Sequence, residues 1–520
     1  MQRLIHLAGS LSSPAILIVL VWCAMLLSVA VGPIDYPGQP SLVVLTVVST
    51  GITIFLLGYH SGKLVFTRYF LRQGQMPPLT RQMLNRVVTA ASLLGIVGIA
   101  LVAFDRTLMS GVSNSAYSEL LRCAPELVDA VSIQRTPLLY GGYAMFSFGF
   151  VSVVLFLLRG EEITGSGAAL AQLSIVSPVG YAVLYSGRMP ILFVLVLVVM
   201  AILVRLAQGR PPLPRGHYLV IKTVAAVALF AIYSSAIWST RQNFCIQMSP
   251  LITELQHEKA RREAPPATAG QPSQNRADEA SRQKAGEIIT ATDLNKRFAE
   301  ARAAPPPPQK PSSADAVLAI MLEAWNVKPR GYVTSAIESS RLSARGAMIG
   351  LSTYFYLTHG VRTIDITWRA RDKFTPKWGV YEIGVLSPIL RVFFHNSQQV
   401  EAMEAEQRAA SIYGFFPTVW GAAFLDFGLV GAVIYILLWG VIAGWSAAGT
   451  RHSDLVTPSL LLVFVLASIV LSVVQGPLGM ANSALVLVSM ALIGFMLDFT
   501  RLRSGSPQDA GELQLNGSAT

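Results

Sequence analysis

Charge is scarce in this chain. Only 13% of its 520 residues are Asp, Glu, Lys or Arg, roughly half the share found in an average soluble domain. Cysteine is scarcer still, with three copies, and no C-x-x-C or Cys/His spacing marks a metal site. The patterns G-x-x-x-x-G-K-[ST], G-x-S-x-G and H-E-x-x-H are all missing. These absences exclude an ordinary soluble globular protein, an ATP-cradling loop, a serine-hydrolase elbow and a zincin helix.

What fills the chain instead is apolar: 52% of residues are hydrophobic and the mean hydropathy is +0.51. About ten apolar runs are long enough, at ~1.5 Å per residue, to cross a bilayer core of ~30 Å. They fall near 14–31, 41–59, 87–104, 138–158, 168–184, 189–206, 219–238, 429–447, 458–475 and 481–498. The expected class is an all-α polytopic membrane protein. Its expected parts are an N-terminal membrane region over 1–238, a loop region over 239–428, a C-terminal membrane region over 429–498 and a polar tail over 499–520. Arg3 and His6 precede the first run, and Ser28-Val29-Ala30 resembles a signal-peptidase site. The run is long for a signal peptide and many spans follow, so a retained helix is expected. Cys23 lies inside it and is expected to pack as a small apolar side chain.

Orientation follows from Lys and Arg in the short connections. Lys63, Arg68, Arg72, Arg81 and Arg86 lie in one, Arg205, Arg210, Arg215 and Lys222 in or beside another, Arg451 in a third, and Arg501 and Arg503 in the tail. All fall on one side if the chain alternates. The connections 32–40 and 476–480 contain neither Lys nor Arg. Both termini are therefore expected in the cytoplasm and the long loop outside. Within that loop, Ala347–Leu357 and Phe415–Phe427 are too short to cross. They read as re-entrant or interfacial helices, or as a pair of extra spans that would raise the total to twelve. Residues 250–315 read as a spacer. Ala264–Asn275 and Ala303–Ser313 are Pro/Ala/Gln-rich and favour disorder or polyproline, whereas Asp278–Ala301 has helical composition.

An external membrane enzyme has no cytoplasmic nucleotides to draw on, so its substrate must arrive activated, as a lipid-linked diphosphate does. Arginines suit that substrate, because guanidinium presents a rigid fork of donors and a charge that does not titrate away. Arg188 sits in a tight turn between two spans, Arg241 follows a span, and Arg341, Arg345, Arg362, Arg369 and Arg371 come from the loop. The plainer reading of any one of them is a side chain snorkelling to headgroups. His359 and Arg362 form H-x-x-R, which shares a helix face, and His359 is a candidate base. Glu323, Glu338, Asp365, Asp372 and Glu382 are alternative bases. Trp368, Trp378, Tyr381, Tyr413 and Trp420 offer flat faces for sugars or form an interfacial belt. Cys123 and Cys245 both fall outside, where a disulfide persists if their Cα atoms come within ~7 Å.

Ser186-Gly187-Arg188 stands between spans, Arg241 at a span end, and Arg345 is followed by Tyr354-Phe355-Tyr356 and Gly360; Tyr413-Gly414-Phe415-Phe416-Pro417 then leads into Phe427-Gly428-Leu429-Val430-Gly431. In these motifs the chain resembles the Wzy-type polymerases of O-antigen and exopolysaccharide repeat units. The resemblance implies a GT-C-like glycosyltransferase of the bacterial inner membrane. Such an enzyme joins undecaprenyl-diphosphate-linked repeat units, without a metal or other cofactor, beside a flippase and a chain-length regulator. His359, Arg345 and Arg362 then form the expected catalytic group. Arg188, Arg241, Arg341, Tyr354, Tyr356, Tyr413 and Trp368 are expected to bind diphosphate or glycan. The competing readings are an O-antigen ligase, which shares the donor, and a lipid-glycan flippase or other transporter.

Overall fold

The computed structural model describes residues 2–69, 77–109, 136–184, 188–214, 314–393, 398–412, 416–479 and 483–504, with isolated residues between 228 and 300. The expected span 219–238, but for residues 228 and 232, together with Arg241, Tyr413, Cys123, Cys245 and both Pro-rich stretches, lies outside the described residues.

The protein is an all-α polytopic membrane protein. Among the described residues, eight helices have the length and apolarity to cross a membrane. Numbered along the chain, α1 (Gln2–Leu11) precedes the first of them, α2 (Pro14–Val31). Next come α3 (Leu42–Tyr69), α4 (Arg81–Phe104) and α5 (Pro137–Arg159), then the pair α6 (Gly165–Leu173) and α7 (Val176–Leu184), which counts as one crossing. The strand β1 is Ile34–Asp35, between α2 and α3. The sixth crossing is α8 (Arg188–Ala207). Proline opens α2 and α5, where its missing N–H costs nothing. Pro178 separates α6 from α7, since it cannot donate back to Ser174.

The segment after residue 313 starts with α9 (Ala314–Trp325), β2 (Lys328–Pro329) and α10 (Gly331–Glu338). Then follow α11 (Ala344–Arg369), α12 (Leu386–Phe393) and α13 (Gln398–Ala409). The last three helices are α14 (Thr418–His452), α15 (Val456–Leu471) and α16 (Ser483–Ser504), of which α14 and α16 complete the eight. The expected span 458–475 is α15, a helix of 16 residues that is buried almost throughout. Cys23 does not pack inward as expected; it is exposed on the outer face of α2.

Glycine sets how closely these helices approach. A Cβ on Gly58 would lie 2.2 Å from the Leu437 carbonyl, and one on Gly62 2.1 Å from that of Val441. Conversely, a Cβ on Gly440 or Gly444 would strike the carbonyl of Phe55 or Tyr59, at 2.2 and 1.9 Å. Two GxxxG pairs, Gly58/Gly62 and Gly440/Gly444, thus face each other along parallel helices α3 and α14. Between α4 and α5, Gly95, Gly98 and Gly149 do the same with opposite polarity. Helices surrounded by lipid gain little from hydrophobicity, so contact of this closeness carries the association.

The two ends of the bundle differ in chemistry. At one end Arg159 and Arg501 both bond Asp454, Arg501 Nε reaches the Pro77 carbonyl at 2.9 Å, and buried Arg205 bonds the Leu157 carbonyl at 2.7 Å. This end gathers basic connections that the sequence places on one side. The other end holds the residues between α9 and α14. Ile34 pairs with Pro329 in a short antiparallel ladder, Gly384 N–H bonds the Leu478 carbonyl at 3.1 Å, and Thr418 N–H bonds that of Val474 at 3.2 Å.

Two expectations for this region change. Ala347–Leu357 is not a separate short helix but the first half of α11, which runs on through polar residues to Arg369 and lies across the ends of α2, α3 and α14. Residues 418–427 of the expected Phe415–Phe427 stretch supply the first leg of α14. The helix breaks at Gly428, whose φ of 64° belongs to the left-handed region that glycine tolerates.

Candidate functional site

The residues of α11 divide by face. Its start is capped by Ser343, whose hydroxyl accepts the Gly346 N–H at 3.1 Å. Along the face toward α9 and β1, Phe355 stacks on Trp325 with centroids 4.6 Å apart and on Tyr36 at 6.4 Å. Tyr36 and Thr358 share a hydroxyl hydrogen bond of 2.7 Å. Tyr354 donates to the Ser28 carbonyl at 2.5 Å, and Tyr356 meets Phe416 edge-on at 5.5 Å. The Tyr-Phe-Tyr run therefore fastens α11 to the end of α2 and the start of α14.

His359 belongs to the same fastening. It is buried, donates from Nδ1 to the Phe355 carbonyl at 2.9 Å and accepts the Phe416 N–H on Nε2 at 3.1 Å. Burial pushes its pKa below the ordinary histidine value. The ring is a neutral bridge with both nitrogens engaged. Arg362 is on the outer side of the same turn and bonds the carbonyls of Trp325 and Asn326, both at 3.2 Å.

The C-terminal turn of α11 is built differently. Asp365 is buried and accepts from Ser41 Oγ at 3.0 Å, Gln39 Nε2 at 3.3 Å and Arg369 at 2.8 Å. The Arg369 side chain is nonetheless 73% exposed. Arg371 projects over the Trp368 ring, 5.6 Å from its centroid, a cation–π arrangement. Lys373 follows, also exposed. Three cations thus leave the end of one helix within five residues.

Beneath them lies an apolar cleft of about 320 Å³ between the first half of α3 and α14. Leu42, Thr46, Thr50 and Ile54 form one wall, Phe424, Leu429, Val433 and Ile436 the other, and Ile364, Thr367 and Trp368 of α11 close the top. Trp420 forms part of the floor against Gly51, where a Cβ would come within 2.7 Å of the indole. Leu42 and Leu429 at the edges are exposed, so the cleft opens sideways onto the surface that faces lipid. Its lining contains two buried polar atoms without hydrogen-bond partners, Trp420 Nε1 and Thr367 Oγ1. Unpaired buried polar groups are uncommon in folded proteins, and here both belong to residues that line one cleft.

The remaining expected residues are scattered. Arg341 is exposed in the turn before α11, and Arg345 lies in its first turn, its side chain outside the described atoms. Arg188 opens α8, which packs on α5, α7, α15 and α1, whereas the cleft is walled by α3 and α14. Glu338 and Asp372 are exposed, and Glu382 is fully buried. Among the described residues no cluster of three or more His, Cys, Asp or Glu side chains is placed to hold a metal ion. The cleft itself is absent from the sequence reading. Its only sequence signal is the run Trp368-Arg369-Ala370-Arg371, an aromatic with cations at helix-end spacing. No family model, curated protein or solved structure matches this chain.

Proposed function

We propose that the protein is a membrane glycosyltransferase that joins lipid-diphosphate-linked oligosaccharide repeat units into a polymer on the outer face of the inner membrane. The observation that carries this reading is the meeting of a lipid-facing apolar cleft with Arg369 and Arg371 at its mouth. A lipid-linked diphosphate has that polarity: an apolar chain in the bilayer, then an anionic group at the interface, then sugar. An isoprenoid chain gains almost nothing by leaving lipid for an apolar cleft, since both media are hydrocarbon. The cleft therefore supplies position, and affinity comes from charge-assisted hydrogen bonds to the diphosphate, each contributing ~1.5–3 kcal/mol.

In this reading an acceptor hydroxyl attacks the anomeric carbon, the new glycosidic C–O bond forms, and the C–O bond to diphosphate breaks. Arg369 and Arg371 stabilise the departing charge. Asp365 orients Arg369. The exposed carboxylate of Asp372, beside Arg371, is accessible to take the hydroxyl proton. Trp368 offers a ring edge to the first sugar. Arg188 opens α8, and Arg345 lies in the first turn of α11 itself. His359, Tyr354 and Tyr356 hold α11 in place.

The test is genetic and chemical. Deleting the gene and resolving the cell's polysaccharide on a gel should leave a single lipid-linked repeat. Accumulated long lipid-linked polymer would indicate a ligase instead, and loss of lipid-linked glycan from the outer face a flippase. In the complemented strain, Arg371→Ala should lower polymer formation at least about tenfold, since losing one such hydrogen bond costs ~1.4 kcal/mol or more. Wild-type polymer from a well-expressed Arg369→Ala/Arg371→Ala double variant would remove the mouth from the mechanism.

A further inference from the structure

Among the described residues, Glu382 is the most thoroughly buried carboxyl outside the membrane-crossing helices, with no measurable exposure. Its Oε1 accepts the Tyr435 hydroxyl at 2.5 Å and faces the Leu478 N–H at 3.5 Å. Its Oε2 is buried without a partner. Gly476 leaves the space it occupies, for a Cβ there would sit 2.0 Å from the carboxyl oxygen. No ion pair with a described Lys, Arg or His compensates it, and the Asp426 carboxylate nearby disfavours its ionisation, whereas the hydrogen bond from Tyr435 favours it.

The segment that carries Glu382 is anchored at one end by the Lys377–Glu406 ion pair at 2.8 Å and at the other by the Gly384 N–H on the Leu478 carbonyl, and between them its hydrogen bonds gather on Asp426. The Asp426 carbonyl accepts the N–H groups of Lys377 and Trp378 at 2.8 and 2.9 Å. The Asp426 carboxylate accepts those of Glu382 at 2.9 Å and Tyr381 at 3.4 Å. Trp378 is held at a φ of 55°, a left-handed conformation that a bulky residue keeps only when its surroundings impose it, with its side chain 73% exposed. The segment continues back to Lys373 and Arg371 at the cleft mouth.

We propose that Glu382 is a protonation-dependent latch: as a neutral acid it docks residues 377–384 onto the kinked helix α14 and the 476–478 turn, and on ionising it releases them. Burial is the main cause that pushes its pKa up to about 8, with Asp426 adding to it. The released carboxyl, in water, returns to an ordinary value near 4.5. The docked state thus holds a proton that the released state lacks between about pH 4.5 and 8, so docking weakens as pH rises through that window and is constant above it. Across the window each pH unit favours release by about tenfold. The inference goes beyond the glycosyl-transfer reading and does not rest on it.

Hydrogen exchange of the full-length protein in lipid nanodiscs, corrected for intrinsic chemistry, tests it between pH 6 and 9. Opening of peptides spanning 377–384 should rise about tenfold per pH unit and level off near pH 8, while α15 stays unchanged. Glu382→Gln, which keeps the shape and cannot ionise, should give opening that is flat with pH. Tyr435→Phe removes a hydrogen bond that favours the ionised form and should move the plateau to higher pH. A pH-independent wild type overturns the latch, as does a Gln variant with the wild-type slope. Should the Gln variant not fold, a Tyr435→Phe plateau that stays at the wild-type pH overturns it as well.

Discussion

Arginines in this protein do two kinds of work, and their partners tell them apart. Arg159, Arg205 and Arg501 are buried and spend their donors on backbone carbonyls and on Asp454 or Glu161. Replacing any of them would leave carboxylates and carbonyls unpaired, so loss of activity there would report folding. Arg369 and Arg371 keep exposed heads beside the cleft. Arg188 opens α8 at the same end of the bundle. For Arg188 the expected outcome is loss of polymer in Arg188→Ala, with little restored by Arg188→Lys, because an ammonium lacks the fork that grips two phosphate oxygens. Polymer near the wild-type level from the Lys variant would make Arg188 an anchor to headgroups. Sequence alone singled out Arg188, because a tight external turn should otherwise avoid Arg, and named Arg369 and Arg371 only among five loop arginines, outside the expected site. It read His359 as a candidate base because H-x-x-R spacing shows a shared face and nothing of burial. The engagement of both ring nitrogens depends on Phe416, 57 residues away in sequence, which no local pattern reveals.

Among the elements, the crossing helices were readable and the packing between them was not. Apolar runs free of charge announce themselves, and the edges of most expected spans agree with α2 to α8 within a few residues, although α3 and α4 extend into polar sequence. The helix α11 was readable only to Leu357, because its second half exchanges apolar periodicity for His, Arg, Asp and Trp. Gly428 marked the start of the eighth expected span, and the chain does break there. The paired glycines of α3 and α14 passed unnoticed, since a glycine in a span looks the same whether or not another backbone touches it. Their importance is measurable. Gly444→Ala would push a methyl to 1.9 Å from the Tyr59 carbonyl, a backbone atom that cannot swing aside. The cost should be at least ~1–3 kcal/mol, seen as a lowered melting temperature in detergent. Gly350→Ala is the matched control: it lies in helix α11 with open space around it. That change should be neutral or stabilise by up to ~1 kcal/mol. Equal melting temperatures for the two variants would remove the close α3–α14 contact as a source of stability.

At the scale of the whole molecule, two independent lines sort the same connections into two groups. One is composition: Lys and Arg crowd some connections and avoid others. The other is contact: Asp454 joins the end of α5 to the start of α15 and the end of α16, while Pro329, Gly384 and Thr418 join the long segment to 34 and 474–478. Contact assigns each connection to an end of the bundle but names no side of a membrane. Composition supplies the side, because basic connections stay in the cytoplasm. Together they predict that reporter fusions at Lys63, Arg210 and Arg503 report cytoplasm, and those at Gln39, Ala280 and Gly479 the outside. The fusion at Gln39 is the sharpest, since Gln39 bonds Asp365 directly and shares the end that carries the cleft mouth. A cytoplasmic signal at both Gln39 and Gly479 would leave the bundle intact and invert it. Arg369 and Arg371 would then face nucleotide-activated substrates, and the lipid-diphosphate argument would fall. A cytoplasmic signal at Ala280 alone would instead require an odd number of crossings between that residue and α11.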